Sequence, residues 1–191
     1  MTASTEVQQA RLNQFKERAQ AAGAKVYPVE SISEAARLIL DLMQAKDQRE
    51  IALAPVHLEL ADDQWQNLLE RLRQETTIKP CETAQEVAST LFGLSYADLC
   101  VAETGSLVFA NNDLRTRMVA MLTFINFALV DAAKMVDSLD DVGQHLQRWQ
   151  AGDGEKRYIS MVTGPSRTAD IERVLTIGVQ GPQELHILLL Q

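Results

Sequence analysis

The chain has 191 residues, a size that suits one domain, with a core large enough to fold without disulfide or metal staples. Hydrophobic residues make up 46% and charged residues 23%, while aromatics reach only 5%, so Leu, Val, Ile and Ala must fill most of the interior. The net charge of −8 with no basic stripe argues against a phosphate-backbone reader, because nucleic-acid-binding proteins usually carry a basic face.

The opening MTASTEVQQARLNQF has no basic start followed by an apolar run, so it is not read as a secretory signal. No stretch approaches the roughly 20 apolar residues needed to span a bilayer, and a cytoplasmic location is expected. Leu12, Phe15, Ala19 and Ala22 fall at helical spacing, and Gly23 is placed to end that helix. Residues 24–29 read as a short strand. Ser31 begins S-I-S-E, a capping-box pattern with Glu34, and Ala35, Leu38, Ile39 and Leu42 continue one apolar face. Residues 51–55 are strand-like. Asp62 and Asp63 precede Trp65, Leu68, Leu69 and Leu72, a third amphipathic helix with acids at its positive end. Residues 76–79 suit a short strand, and Thr83 with Glu86 forms another capping box leading into Val87 and Leu91.

The chain then changes character. Residues 98–102 and 106–110 read as two strands separated by Glu103-Thr104-Gly105, with a turn at Asn111-Asn112-Asp113. Residues 118–122 and 126–130 are further apolar runs. Ser138 opens a helix through Leu139, Val142, Leu146 and Trp149, and residues 151–156 read as a surface loop. Residues 158–162 form a strand ending in Thr163-Gly164-Pro165-Ser166-Arg167-Thr168, from which a helix carrying Ile171, Val174 and Leu175 is expected. The nearly all-apolar run 184–190 suits a strand covered on both faces. Helices and strands alternate, which predicts an α/β fold with an open, mostly parallel sheet and helices on both faces. The quick succession of strands around Glu103 predicts a local antiparallel excursion. No linker or repeat divides the chain, so residues 1–191 read as a single domain that includes the N-terminal helix.

Cys81 and Cys100 form no C-x-x-C pair, and the plain reading is two buried thiols. His57, His145 and His186 lie far apart, so no metal-ligand spacing appears. This chain alone cannot ligate an iron–sulfur cluster, which commonly needs about four cysteines.

The first candidate site is the junction at residues 163–170. Open α/β sheets place ligands at the carboxyl ends of strands, and a helix N-terminus offers unpaired N–H groups to an anion. Gly164 lets the backbone come close to a ligand, Ser166 and Thr168 add hydroxyls, and Arg167 adds a fixed positive charge. The same pattern, with Asp170 and Glu172, serves equally well as an ordinary helix start. The second candidate is Glu103-Thr104-Gly105-Ser106, where a strand-end carboxylate could act as nucleophile or general base, or simply be an exposed turn acid. Arg115 and Arg117 could close over an anion or form a solvated pair. Asn126, inside an apolar run, must find hydrogen-bond partners, by tying down a neighbouring loop or by facing a pocket. His186 suits a satisfied core histidine.

These motifs also carry a resemblance. ADLCVAETGSLVFAN resembles the A-D-x-x-(I/V)-A-E-T-G-(T/S)-(L/I)-V segment of lactate utilization protein C. TGPSRTADIERVLTIGVQGPQELHILLL resembles that family's C-terminal signature, with its GPSRTADIE core and G-V-H-G-P-x-E-(L/M)-H tail. The likeness is densest over residues 97–190, and on it the chain is identified as a member of the LUD-domain family. Two positions depart from the pattern: Asn126 and Gln180 stand where the family frequently carries histidines.

The resemblance implies a fold of the NagB/RpiA/CoA-transferase-like kind. It implies an accessory role in oxidising L-lactate to pyruvate, with the redox centres held by iron–sulfur or flavin-linked partner proteins and no cofactor bound by this chain alone. Under that reading a small carboxylate, or a cofactor phosphate, would sit among Thr104, Gly105, Ser106, Arg117, Asn126, Gly164, Pro165, Ser166, Arg167, Thr168 and Asp170, and a homo-oligomer stays open. The alternatives are a free-standing CoA-transferase-like or isomerase-like enzyme using Glu103, or a non-catalytic scaffold.

Overall fold

The computed structural model describes residues 3–55, 62–151, 158–171, 174–178 and 181–191, and only the backbone over 3–5, 62–64, 168–171 and 174–177. The chain opens with α1 (Ala3–Ala21), which buries Phe15 and Ala19. Its end is closed by the N–H of Gly23 donating to Gln20 at 2.9 Å and that of Ala24 to Ala19 at 3.0 Å, a Schellman pair. After β1 (Lys25–Val29) comes α2 (Ile32–Gln44), whose first turn is capped by the Ser31 side chain accepting from the Glu34 N–H at 3.2 Å. The Glu34 carboxylate reaches back one residue further than a capping box requires, to the Glu30 N–H. Then follow β2 (Glu50–Leu53), α3 (Asp62–Glu75), β3 (Thr77–Lys79) and α4 (Ala84–Ala88), the last with the complete Thr83–Glu86 box.

β4 (Phe92–Tyr96), β7 (Ile125–Asp131) and β12 (Glu184–Leu190) join β1, β2 and β3 in a six-stranded sheet of order β1-β12-β7-β4-β2-β3. Every pairing in it is parallel, as the sequence predicts. The continuous apolar runs now resolve into two faces. Ile125, Phe127 and Leu129 of β7 pack with Ile39 and Met43 of α2 and with Leu68 and Leu72 of α3. Ala128 and Val130 face the other way, onto Phe15 and Ala19 of α1.

A second sheet covers that other face, with order β8-β5-β6-β9. It comprises β5 (Leu99–Val101), β6 (Ser106–Ala110), β8 (Met135–Val136) and β9 (Ile159–Val162). The antiparallel hairpin of β5 and β6 is the excursion expected around Glu103. Phe109 and Leu107 point inward to the shared core, while Val108, Leu99 and Val101 point outward and are covered by Val142, Leu146 and Trp149 of α6 (Leu139–Ala151). Ser138 and Asp141 cap α6 reciprocally. α5 (Leu114–Leu122) lies on the same side of the parallel sheet, with Met118 and Val119 against Ala52 and Val87. The expected surface loop over 151–156 falls, beyond Ala151, outside the described residues, as do His57 and Gln180.

One expectation is corrected. The segment after Ser166 is not a helix but an antiparallel pair, β10 (Arg167–Ile171) and β11 (Val174–Ile177), in register Arg167↔Ile177 and Thr168↔Thr176. Ile171, Val174 and Leu175 do fall at helical spacing, but the segment is short and rich in β-branched residues, which favour strands. The loop-to-helix anion cradle therefore does not exist here. The strand-end rule does not transfer either, because β9 belongs to the smaller sheet rather than to the parallel one.

At the amino ends of β1 and β12 a polar cluster ties the edge strand down. Glu184 meets Lys25 at 2.5 Å, Lys46 at 3.2 Å and Nε2 of His186 at 3.0 Å, while Nδ1 of His186 lies 3.3 Å from the Tyr27 hydroxyl. A carboxylate only accepts, so Nε2 carries the proton and Nδ1 accepts from Tyr27, a fully satisfied neutral imidazole. Burial pushes the His186 pKa down, against the Glu184 hydrogen bond. Burial pushes the Glu184 carboxyl up, but bonds from Lys25, His186 and Lys46 outweigh it and hold it at about 2. Both folded-state values lie below the ordinary 6.5 and 4.5, so this stabilisation is complete above them and is lost as pH falls. Stability measured by urea unfolding should therefore drop between pH 6.5 and pH 4.5. The drop should be smaller in His186→Gln, and equal slopes would refute the assignment to His186.

Candidate functional site

α5 begins where the Asp113 side chain accepts from the Arg115 N–H at 2.9 Å. Arg115 then folds back onto Asp113, its Nη2 2.6 Å from Oδ2. Arg117 takes a different course. It and Met121, four residues on, share a helix face directed toward β9. The Arg117 guanidinium carbon lies 4.1 Å from the centroid of the Tyr158 ring, a cation–π contact. Its Nε is buried and has no hydrogen-bond partner among the described residues.

Arg117 lines a cavity of about 430 Å³ between α5 and β9. Phe109 and Ala120 form its apolar floor, Met121 and Met161 flank it, and Ser160, Thr163 and Ser166 bring hydroxyls. The Gly164–Pro165 turn and the Gly181–Pro182 segment complete the wall. No carboxylate is among these residues, in a chain whose net charge is −8. Among the described residues the lining is apolar with one cation and a few hydroxyls, which suits a small anion with an apolar body.

Two glycines fix this wall. Gly105 has φ +68° and Gly164 has φ +71°, both in the left-handed region. A Cβ on Gly105 would stand 2.2 Å from Ala19 N, and one on Gly164 would stand 2.2 Å from Ala22 O. Both motif turns therefore rest on the last turn of α1. They also touch each other through side chains: Thr104 donates to Ser106 Oγ at 2.8 Å, and Ser106 Oγ lies 2.6 Å from Thr163 Oγ1.

The structure brings Arg117, Gly164, Pro165 and Ser166 into the cavity wall, and links Thr104 and Ser106 to it through Thr163. Gly105 packs on α1. Glu103 is exposed, and its carboxylate accepts from the Leu139 N–H at 3.1 Å, which caps α6. Arg167 is exposed, with its guanidinium against Gly23 rather than in the cavity lining. Asn126 is fully buried and donates to Ser95 Oγ at 3.0 Å, so it ties β7 to β4 instead of facing the cavity. Thr168 and Asp170 have their backbone in β10, and their side chains fall outside the described residues. Sequence reasoning passed over Met121, Ser160 and Met161. The available signal was the four-residue step from Arg117 to Met121, once 114–122 is read as a helix.

A larger groove, about 500 Å³, runs between α1 and residues 132–135. It holds none of the motif residues, and its one arginine, Arg11, is already paired with Asp137 and with the Met135 carbonyl. Among the described residues, no three His, Cys, Asp or Glu side chains gather as metal ligands, and no helix is long and apolar enough to cross a membrane.

An open parallel α/β sheet backed by a small mixed sheet, with an arginine-bearing cavity beside it, defines the architectural class. The LUD domain model matches residues 12–190, and the chain belongs to the LUD domain family. It is similar to lactate utilization protein C 1 of Bacillus mycoides, 33% identical over 47% of this chain and 39% of that one. It is similar also to lactate utilization protein C of Bacillus licheniformis, 28% identical over 64% of this chain and 52% of that one. The uncharacterized protein YkgG of Escherichia coli matches at 27% over 64% of this chain and 56% of its own length. The matched stretch thus spans about half the length of these curated relatives. A crystal structure of a DUF162 family protein from Deinococcus radiodurans superposes with a TM-score of 0.61, covering 96% of this chain and 98% of that one at 15% identity. That likeness concerns the fold.

Proposed function

We propose that this chain serves lactate utilization as an accessory subunit that holds a small carboxylate in the cavity between α5 and β9. Partner proteins bearing iron–sulfur centres would carry out the oxidation of L-lactate to pyruvate. The role is suggested by the relatives named lactate utilization protein C. The observation that carries the site is Arg117: among the described residues its buried Nε has no hydrogen-bond partner, and none of those that line the cavity is a carboxylate. A buried donor left unpaired is costly, and a ligand carboxylate would satisfy it through charge-assisted bonds. Arg117, rather than Arg167, is then the anion's partner. Glu103 finds less support as a nucleophile, because its carboxylate is engaged at the start of α6.

Titration calorimetry with L-lactate and pyruvate tests the site. Saturable binding is expected. Arg117→Ala should weaken it about 10- to 100-fold, the value of a hydrogen bond to a charged group. Arg167→Ala should leave it nearly unchanged. Absence of binding in the wild type, or indifference to Arg117→Ala, would sink the reading.

A further inference from the structure

The Thr104 hydroxyl donates to Ser106, and Ser106 is 2% exposed, so water does not compete for its proton. A serine hydroxyl has one proton to give. Ser106 accepts from Thr104, and Thr163 Oγ1, 2.6 Å away, is the oxygen within reach of its own proton, with either member of that pair able to donate. Where Ser106 donates, Thr163 Oγ1 accepts and keeps its own proton to give. Thr163 stands in the cavity wall, at the end of β9. A hydroxyl that accepts a bond becomes a stronger donor, because chained hydrogen bonds polarise one another. The AETGS turn thus reaches the cavity as a hydroxyl chain whose last member, Thr163, can donate into it.

We propose that Thr163 reads the oxygen on carbon 2 of the bound acid, donating to it while Arg117 takes the carboxylate. This rests on the carboxylate site argued above and adds the residue that would tell 2-oxygenated carboxylates from their unoxygenated analogues. Ser106 acts through Thr163, as a positioning residue. The unoxygenated acid of the same length offers Thr163, which is exposed, no acceptor in place of water, and so forgoes that one hydrogen bond.

Calorimetry with pyruvate and propionate on the folded full chain separates the two levels. Wild type should prefer pyruvate about five- to tenfold, the value of one net hydrogen bond. Thr163→Val should abolish that preference, weakening pyruvate far more than propionate. Thr163→Ser should keep the preference, and Ser106→Ala should reduce it. If both acids bind in an Arg117-dependent way with equal affinity, or if the preference survives Thr163→Val, the role of Thr163 is overturned while the carboxylate site stands. If neither acid binds the wild type, both fall.

Discussion

Gly105→Ala should cost about 3–5 kcal/mol of unfolding free energy, enough to lower the thermal midpoint by about 10 °C for a chain of this size. Two separate penalties add. At φ +68° an L-residue with a Cβ pays about 1–2 kcal/mol. The new Cβ would also stand 2.2 Å from Ala19 N and 2.6 Å from Ala19 Cα. Those are backbone atoms of α1, so no rotamer change relieves the clash, and either the turn or the helix must shift. Gly143 provides the contrast. It sits inside α6 with nothing within 4 Å of an added Cβ. There Gly→Ala should raise stability by about 0.5–1 kcal/mol, through helix propensity. Urea unfolding of the two variants checks both signs, and a Gly105→Ala cost below about 1 kcal/mol would refute the tight seating of the AETG turn on α1.

Phe127→Ala should cost about as much, roughly 3–5 kcal/mol, by a different route. Phe127 is fully buried in β7, between β12 and β4. Its ring stacks on Phe92 with centroids 5.4 Å apart and meets His186 edge-on at 5.4 Å. With aromatics so scarce, few neighbours are large enough to fill the void. Phe127→Leu keeps most of the volume and should cost well under half as much. A loss below about 2 kcal/mol for the alanine variant would show that the α2 and α3 side of the core can collapse around the gap.

The local grammar of the chain was readable in advance. Thr83 and Ser138 announce helix starts through their own side chains, and Gly23 announces an end. The parallel sheet followed from alternation and from apolar runs too continuous for a half-exposed strand. The strand pair at Arg167–Ile177 was hidden, because Ile171, Val174 and Leu175 satisfy both periods over so short a segment. The apolar run around Asn126 demands partners for a buried amide, but only the register placing it beside Gly93 shows that Ser95, on the same face, is one. The arginines teach the same lesson. Arg115 and Arg117 look alike in sequence, and helix geometry alone sends one back to Asp113 and the other over Tyr158.

The strand order carries a consequence for how the molecule comes together. Among the described residues β1 has a single neighbour, β12, and the Lys25–Glu184 bond joins residues 159 positions apart. Loops of that length close slowly, since the chain entropy is lost before the pairing can repay it. On a ribosome, β1 and the facing edge of β7 must wait, unpaired, until β12 has emerged. β12 is therefore the keystone of assembly, and synthesis halted before Glu184 would leave two strand edges open to other chains.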